Sequence, residues 1–286
     1  MAIQVTPYIP RSITVHLAPA GTAAENLTVP FPEYIKNVAS SEIYPTWEEQ
    51  ALRANILAQI SFALNRVYTE YYRSRGYDFD ITASPANDQK FIAGRSTFEN
   101  VDRLVDELFT SYLRRQGFVE PLAAKFCNGT TVTCDGLSQW GSEELARQGY
   151  DAMSILRRYY GEDIQLVTGA PIRDLAASYP GSPLRSGSSG EYVVVLQTML
   201  NRIAHNYPAI PRITPVDGIF GPRTLQSVLE FQRIFQLSPD GVVGPSTWYK
   251  LVSLYVGVTR LSELSSEGQQ FTQVQAPGGG VTLREG

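Results

Sequence analysis

The sequence predicts two domains of different class: an α+β domain over residues 1–168 and a small all-α bundle of three helices over residues 191–264. A linker at 169–190 joins them, and residues 265–286 read as a disordered tail. Three observations carry the prediction. First, Asp217-Gly218-Ile219-Phe220-Gly221-Pro222-Arg223-Thr224 returns 23 residues later as Asp240-Gly241-Val242-Val243-Gly244-Pro245-Ser246-Thr247. Each copy is an Asp-Gly turn, a Gly, and a Pro at the first turn of a helix, where a missing N–H costs nothing. Second, the first domain mixes strand-like alternation with helical periodicity. Third, Gly169 to Gly190 is rich in Gly, Pro, Ser and Ala without apolar periodicity, the mark of a linker.

The first domain opens on Ile13-Thr14-Val15-His16-Leu17, which alternates as a strand, and Asn26 to Pro30 is again extended. Thr46 with Glu49 makes a capping box for a long helix whose stripe is Leu52, Ile56, Ile60, Ala63, Val67 and Tyr71. Ser96 with Glu99 opens a second helix with the stripe Val101, Leu104, Val105, Leu108 and Tyr112, stopped by Gly117. Two shorter helices follow, one ending at Gly149 and one from an Asp151 N-cap to Gly161. Leu122–Cys127, Thr130–Cys134 and Ile164–Thr168 are strand candidates. In the second domain the helices are Glu191–His205 (Val194, Leu196, Leu200, Ile203), Pro222–Phe235 (Leu225, Val228, Leu229, Phe235) and Pro245 to about Leu264 (Trp248, Leu251, Leu254, Tyr255). A helix cannot bury its apolar stripe alone, so repeated helices this close in sequence imply a bundle.

Composition narrows the function. The chain has 286 residues, 43% hydrophobic and 18% charged, enough for two cores. Its net charge of −4, with no basic run, argues against nucleic acid and anionic membrane as partners. No apolar run approaches the ~18 residues of a membrane span. Met1 to Gly21 lacks a charged start followed by an apolar core, so no Sec signal peptide is expected. The 16 Tyr residues suit sugar stacking, and equally suit half-buried packing.

The second domain carries Leu184-Arg185-x-Gly187-x-x-Gly190-x-x-Val193, then Leu196-Gln197-x-x-Leu200, the first Asp-Gly phrase, Phe231-Gln232, and the second phrase ending in Trp248. Over Leu184 to about Tyr255 this resembles the three-helix peptidoglycan-binding-like domain. The resemblance implies binding to cell-wall glycopeptide. Leu196, Leu200, Phe231 and Trp248 read as core. Gln197, Asp217, Arg223 and Gln232 are the polar candidates for wall contact, with capping or turn bonding as the alternative role.

In the first domain, Val38-Ala39-Ser40-Ser41-Glu42-Ile43-Tyr44-Pro45-Thr46-Trp47 is followed by Glu49-Gln50-Ala51-Leu52-Arg53-Ala54-Asn55. Later come Phe91-Ile92-Ala93-Gly94, Leu137-Ser138-Gln139-Trp140-Gly141-Ser142, and Ile155-Leu156-x-x-Tyr159-Tyr160-Gly161. From about Ile13 to Val167 the chain resembles the stage II sporulation protein D family. Characterised members are lytic transglycosylases that cut peptidoglycan glycan strands. The resemblance implies that Glu42, heading the Pro-x-Trp helix, is the acid, with Tyr44, Trp47, Ser138, Gln139 and Trp140 as substrate-binding candidates. Two departures stand out. Gln59-Ile60-Ser61 lies where the family has an Arg-Thr pair, so Ile60 replaces a cation, and Cys134-Asp135-Gly136 stands in place of a His-Gly element.

The chemistry asks for a carboxyl that carries a proton near neutral pH. An exposed glutamate titrates near ~4.3, so the site must desolvate it. Ile43, Tyr44, Pro45 and Trp47 are the apolar residues beside Glu42. No second carboxylate is needed, because the sugar's own C6 hydroxyl attacks C1 to give a 1,6-anhydro product, unlike two-carboxylate hydrolysis. No cofactor is required. Cys127 and Cys134 flank a short turn and leave three readings open: a disulfide, a zinc site completed by Glu42 and a further ligand, or free thiols.

The expected function is therefore a wall-binding lytic transglycosylase of sporulation or wall remodelling. It would act on peptidoglycan glycan strands at the wall or the spore, by an export route the sequence does not indicate; nor does it indicate protein partners. A catalytically silent wall-binding or spore-assembly protein is the alternative, and a phage-type lysin a weaker one.

Overall fold

A computed structural model describes residues 7–175 and 178–258, and the backbone of 271–275 and 281–285. The chain divides into an N-terminal α+β unit, whose described part ends at Leu175, and a C-terminal unit built from three helices.

The N-terminal unit begins with β1 (Ile9–Pro10), β2 (Ser12–His16) and β3 (Asn26–Pro30), and continues into α1 (Phe31–Glu42) and α2 (Glu49–Tyr68). Then come β4 (Ile81–Thr82), α3 (Glu99–Leu108), β5 (Tyr112–Arg115), β6 (Phe126–Cys127) and β7 (Leu137–Ser138). It closes with α4 (Gln139–Arg147), α5 (Ala152–Tyr160), β8 (Ile164–Val167) and β9 (Ile172–Arg173). The sheets are small. β2 lies between β3, antiparallel with Ser12 opposite Pro30, and β4, parallel with Val15 opposite Ile81. β5 pairs antiparallel with β8, while β1 with β9 and β6 with β7 are short parallel pairs.

The organising element is α2. Every residue from Ala54 to Val67 is buried, and α1, α3, α4, α5 and β5 pack round it. A helix enclosed on all sides needs partners for its polar side chains. Asn55 donates to Ser142 Oγ (2.7 Å), Asn65 to Glu120 Oε1 (2.6 Å), and Arg66 pairs with the buried Asp88 at 2.8 Å.

Helix starts depart from the local expectation. α2 begins at Glu49 with Glu48 as N-cap, and neither Thr46 nor any other side chain of that turn caps it. The Glu48 N–H is instead taken by Glu143 Oε2 of α4 at 2.9 Å, a distant carboxylate doing the work of a capping box. α3 starts at Glu99, not Ser96, and ends at Leu108, so Tyr112 belongs to β5 and Gly117 lies beyond the helix. Tyr71 likewise falls after α2. Thr130–Cys134 is not a strand, and Leu122–Cys127 shortens to its last two residues. α1 was not expected: Pro30 is its N-cap and Pro32 sits in the first turn, where Pro is favoured, and Phe31, Tyr34, Ile35, Val38 and Ala39 form its buried stripe. Glu42 therefore ends a helix rather than heading one. The Asp151 cap is as expected, its carboxylate accepting from Ser154 N at 2.9 Å, with Gly161 closing α5.

The C-terminal unit packs α6 (Glu191–Asn206), α7 (Pro222–Ile234) and α8 (Pro245–Val258) round Leu196, Leu200, Phe231 and Trp248, all buried. Val194, counted in the apolar stripe, is exposed. The stretch expected as a linker is ordered at both ends: Ile172–Arg173 is β9, and Leu184 is a core residue bridged to Val243. Within 265–286, expected as a disordered tail, the described backbone forms β10 (Phe271–Gln275) and β11 (Val281–Glu285), which pair antiparallel. Residues 259–264, given to the third helix from sequence, lie outside the described residues. No helix among the described residues is long and apolar enough to cross a membrane.

Candidate functional site

Glu42 is the last residue of α1, partly exposed, and two fixed donors hold its carboxylate. Oε1 accepts from the backbone N–H of Lys90 at 2.8 Å, and Oε2 accepts from Gln139 Nε2 at 3.4 Å, across 97 positions of sequence. Each donor is itself held. The Lys90 segment is stapled to α1 by Asn37, which accepts from Ile92 N (2.9 Å) and donates to Ile92 O (2.8 Å). One residue back, Gln89 accepts from the Tyr34 hydroxyl (2.9 Å) and donates to Gln59 O (3.0 Å). Burial, with the charges of Asp88 and Glu42 nearby, raises the Tyr34 hydroxyl well above the usual tyrosine range, so it stays a donor.

Gln139 is the first residue of α4, 3% exposed. Ser142 Oγ donates to its carbonyl at 2.6 Å and is tied in turn to Asn55 of α2. Ser138, taken from sequence as a substrate contact, has its Oγ engaged as the N-cap of α4, accepting from Gly141 N at 3.0 Å. The Tyr159 side chain bonds Ser138 as well. A Cβ at position 141 would lie 2.2 Å from the Tyr159 hydroxyl, so any side chain there would have to displace that ring.

Three aromatic rings gather from the two segments that carry Glu42 and Gln139. Trp47 is buried, while Tyr44 and Trp140 are 57% and 43% exposed. Their centroids form a triangle of 5.8 Å (Tyr44–Trp47), 5.7 Å (Tyr44–Trp140) and 5.1 Å (Trp47–Trp140). Trp47 is the buried member of the triangle, and Asn100 pins the turn between Tyr44 and Trp47 by donating to Pro45 O at 2.7 Å. Exposed rings of this size fixed beside a polar group suit stacking on a sugar face. So the fold brings together Glu42, Tyr44, Trp47, Gln139 and Trp140 and turns Ser138 to structure. Sequence reasoning missed Lys90, whose contribution is a backbone N–H, although the adjoining Phe91–Gly94 element had been singled out.

Cys127 and Cys134 are joined in a disulfide, the first of the three readings. Oxidised sulfur is not a thiolate ligand, and among the described residues no cluster of three or more His, Cys, Asp or Glu is arranged to hold a metal. Alkylation of the denatured protein without reductant is expected to leave both cysteines unmodified. Two modified cysteines would overturn the disulfide, and modification that needs a chelator in the native protein would restore the zinc reading.

In the C-terminal unit the repeated phrase is a repeated lock. Gln197 Nε2 donates to Asp217 Oδ1, Ile219 O and Thr224 Oγ1 at 2.9, 3.0 and 3.1 Å, and Gln232 Nε2 donates to Asp240 Oδ1, Val242 O and Thr247 Oγ1 at 2.8, 3.0 and 3.2 Å. Their oxygens accept from Gly218 N and Gly241 N, both at 2.9 Å, and both glycines sit at positive φ, 71° and 72°. Bonds from Gln197 and from Ile219 N hold the Asp217 carboxyl below the usual range. Gln197 and Gln232, 0% and 1% exposed, are thus structural, not wall contacts. Arg223 is exposed and donates to Thr214 O.

Comparison with known proteins agrees with this architecture. Residues 21–108 match the family model "Stage II sporulation protein", and residues 189–251 match the model "Putative peptidoglycan binding domain". Glu42, Tyr44 and Trp47 fall inside the first match, while Ser138, Gln139 and Trp140 fall outside it. A 69-residue stretch is 46% identical to an uncharacterized protein in the bpoA1 3' region of Kitasatospora aureofaciens, covering 24% of this chain and 53% of that one. Over 71 residues it is 42% identical to the zinc D-Ala-D-Ala carboxypeptidase of Streptomyces albus G, covering 25% of this chain and 26% of the other. The chain thus spans about half and about a quarter of the lengths of these relatives. Among solved structures, the SleB N-terminal domain aligns at 32% identity and TM-score 0.24, over 27% of this chain and 99% of that one. A peptidoglycan-binding protein from Clostridioides difficile, in complex with glutamine hydroxamate, aligns at 36% identity and TM-score 0.23, over 26% and 42%.

Proposed function

We propose that the N-terminal unit is a peptidoglycan lytic transglycosylase and that the C-terminal unit holds the chain on the wall. Glu42 donates its proton to the glycosidic oxygen as the bond from C1 to that oxygen breaks. The resulting carboxylate takes the proton of the C6 hydroxyl as its oxygen closes on C1, and the 1,6-anhydro end forms without water. Tyr44 and Trp140 receive the sugar faces, and Gln139 with Lys90 N–H fixes the carboxyl. The observation that supports this reading is the convergence of Glu42, Gln139 and the aromatic triangle from segments 97 positions apart. The setting that follows is the cell wall or a spore.

The test is mass spectrometry of soluble products after incubation with purified peptidoglycan and with peptide-free glycan. Anhydro-ended fragments carry the reading, and their absence from every preparation sinks it. Trp140→Ala is expected to raise the apparent KM for glycan roughly tenfold and to leave kcat within about a factor of three, because the ring binds and does not react.

One observation favours the catalytically silent wall-binding alternative. Ile60 is fully buried where the family has a cation, and Glu42 has only neutral amides as partners, with no ion pair among the described residues. Wall sedimentation without released sugar would select that alternative.

A further inference from the structure

The two locks are nearly superimposable in chemistry, so the difference between them is informative. From Gln232 to Asp240 is 8 positions, but from Gln197 to Asp217 is 20. Part of the difference is helix, since α6 runs nine residues past Gln197 and α7 only two past Gln232; the rest is loop, which from Tyr207 to Val216 is twice as long as its counterpart from Phe235 to Pro239. The loop is firmly built. Ile210 and Ile213 are buried in the core. Asn201 of α6 both donates to Ile213 O and accepts from Ile213 N, each at 2.8 Å. Ser227 Oγ donates to Pro211 O, and Arg223 to Thr214 O.

What the loop creates is a cleft of about 540 Å³ against the last turns of α6, lined by Asn201, Arg202, His205, Arg212 and Thr214. Its charge is of one sign. Among the described residues neither Arg202 nor Arg212 forms an ion pair, in a chain whose net charge is −4. Arg202 donates to Asn206 Oδ1 at 2.7 Å and to Val258 O, which orients its guanidinium and leaves donors over. Arg212 is exposed and touches His205 Nδ1 through Nη2 at 3.4 Å. Two guanidiniums without a carboxylate partner, one of them oriented, in a cleft with a clamped wall, suit an oxyanion.

We propose that this cleft is the subsite by which the C-terminal unit recognises an oxyanion carried by the wall polymer, with Arg212 and Arg202 as its contacts. The proposal rests on the wall-binding reading above. A bacterial wall offers that chemistry from two sources, the free carboxylates of stem peptides and the phosphodiesters of attached anionic polymers.

The experiment is sedimentation of the full chain with three wall preparations: intact, treated with hydrofluoric acid to remove phosphodiester polymers, and digested with an amidase to remove stem peptides. Wild type is compared with Arg212→Gln and with Arg233→Gln, whose arginine is exposed in the separate Glu230 pair at 3.1 Å. Arg212→Gln is expected to weaken binding to intact wall about tenfold, and Arg233→Gln to leave it unchanged. One stripping treatment should weaken wild type to the level of the variant and lower the variant no further, which names the source. Equal binding by all three proteins overturns the subsite and leaves wall binding standing. Failure of wild type to sediment with any preparation overturns both.

Discussion

Glu42→Gln is expected to abolish release of 1,6-anhydro fragments, a fall of at least ~10³-fold, while binding to intact wall and thermal stability stay at wild-type level. The substitution keeps the length and planarity of the side chain and removes only its ability to give and take a proton. Packing does not complicate it. Both carboxylate oxygens now accept, from Lys90 N and Gln139 Nε2, so an amide must place its NH₂ against one of these donors. The backbone donor cannot turn, but the Gln139 amide can, presenting its oxygen to the new NH₂ and restoring the pair. The cost to the fold is thus confined to one adjustable hydrogen bond of about 1 kcal/mol. A variant that keeps substantial turnover would remove Glu42 from the chemistry. One that loses wall binding as well would show that the carboxylate is part of the attachment surface. Glycan freed of its peptides belongs in the same experiment, because an enzyme that reads only sugars must cut it.

How far the sequence foretold this site depends on the range of the interactions. The two motifs flanking the site, Glu42 to Trp47 and Ser138 to Trp140, were visible as residues, and their resemblance to a known family supplied roles for them. What local windows could not supply was the join between them, the hydrogen bond from Gln139 to Glu42. The capping boxes failed for the same reason. Thr46 and Glu49 satisfy the local pattern, but Glu143, 95 positions away, takes the N–H of Glu48 with better effect because it is buried and aimed by α4. Where the governing contact is local, as in the Asp151 cap or the turn and first-turn proline of each repeated phrase, the expected element and its boundary both hold. At the head of α1, Pro30 and Pro32 fall at permitted positions before a regular apolar stripe, a helix the sequence analysis did not propose.

Gln197→Leu and Gln232→Leu are each expected to destabilise the C-terminal unit by about 3 kcal/mol, the largest effects of any single polar substitution in it. Leucine fills a similar volume, so packing is nearly conserved and the loss is polar. At Gln197 it strands two backbone donors, Asp217 N (3.1 Å) and Gly218 N (2.9 Å), and frees the acceptors Asp217 Oδ1, Ile219 O and Thr224 Oγ1. Gly218 is buried, so water cannot replace what it loses. Hydrogen exchange reads this locally: the amides of Gly218 and Gly241 should each lose protection in the variant of its own lock first. The locks share α7, with Thr224 at its start and Gln232 near its end, so the double variant should lose more than either alone. A domain this small holds only about 5 kcal/mol in reserve, and the double variant is therefore expected to be unfolded at room temperature and unable to hold the wall. The outcome that would reverse this is specific. If Gln197→Leu left exchange and unfolding unchanged but weakened sedimentation, the side chain would be a ligand contact after all, and the repeated phrase a binding signature rather than a device for closing two turns onto one bundle.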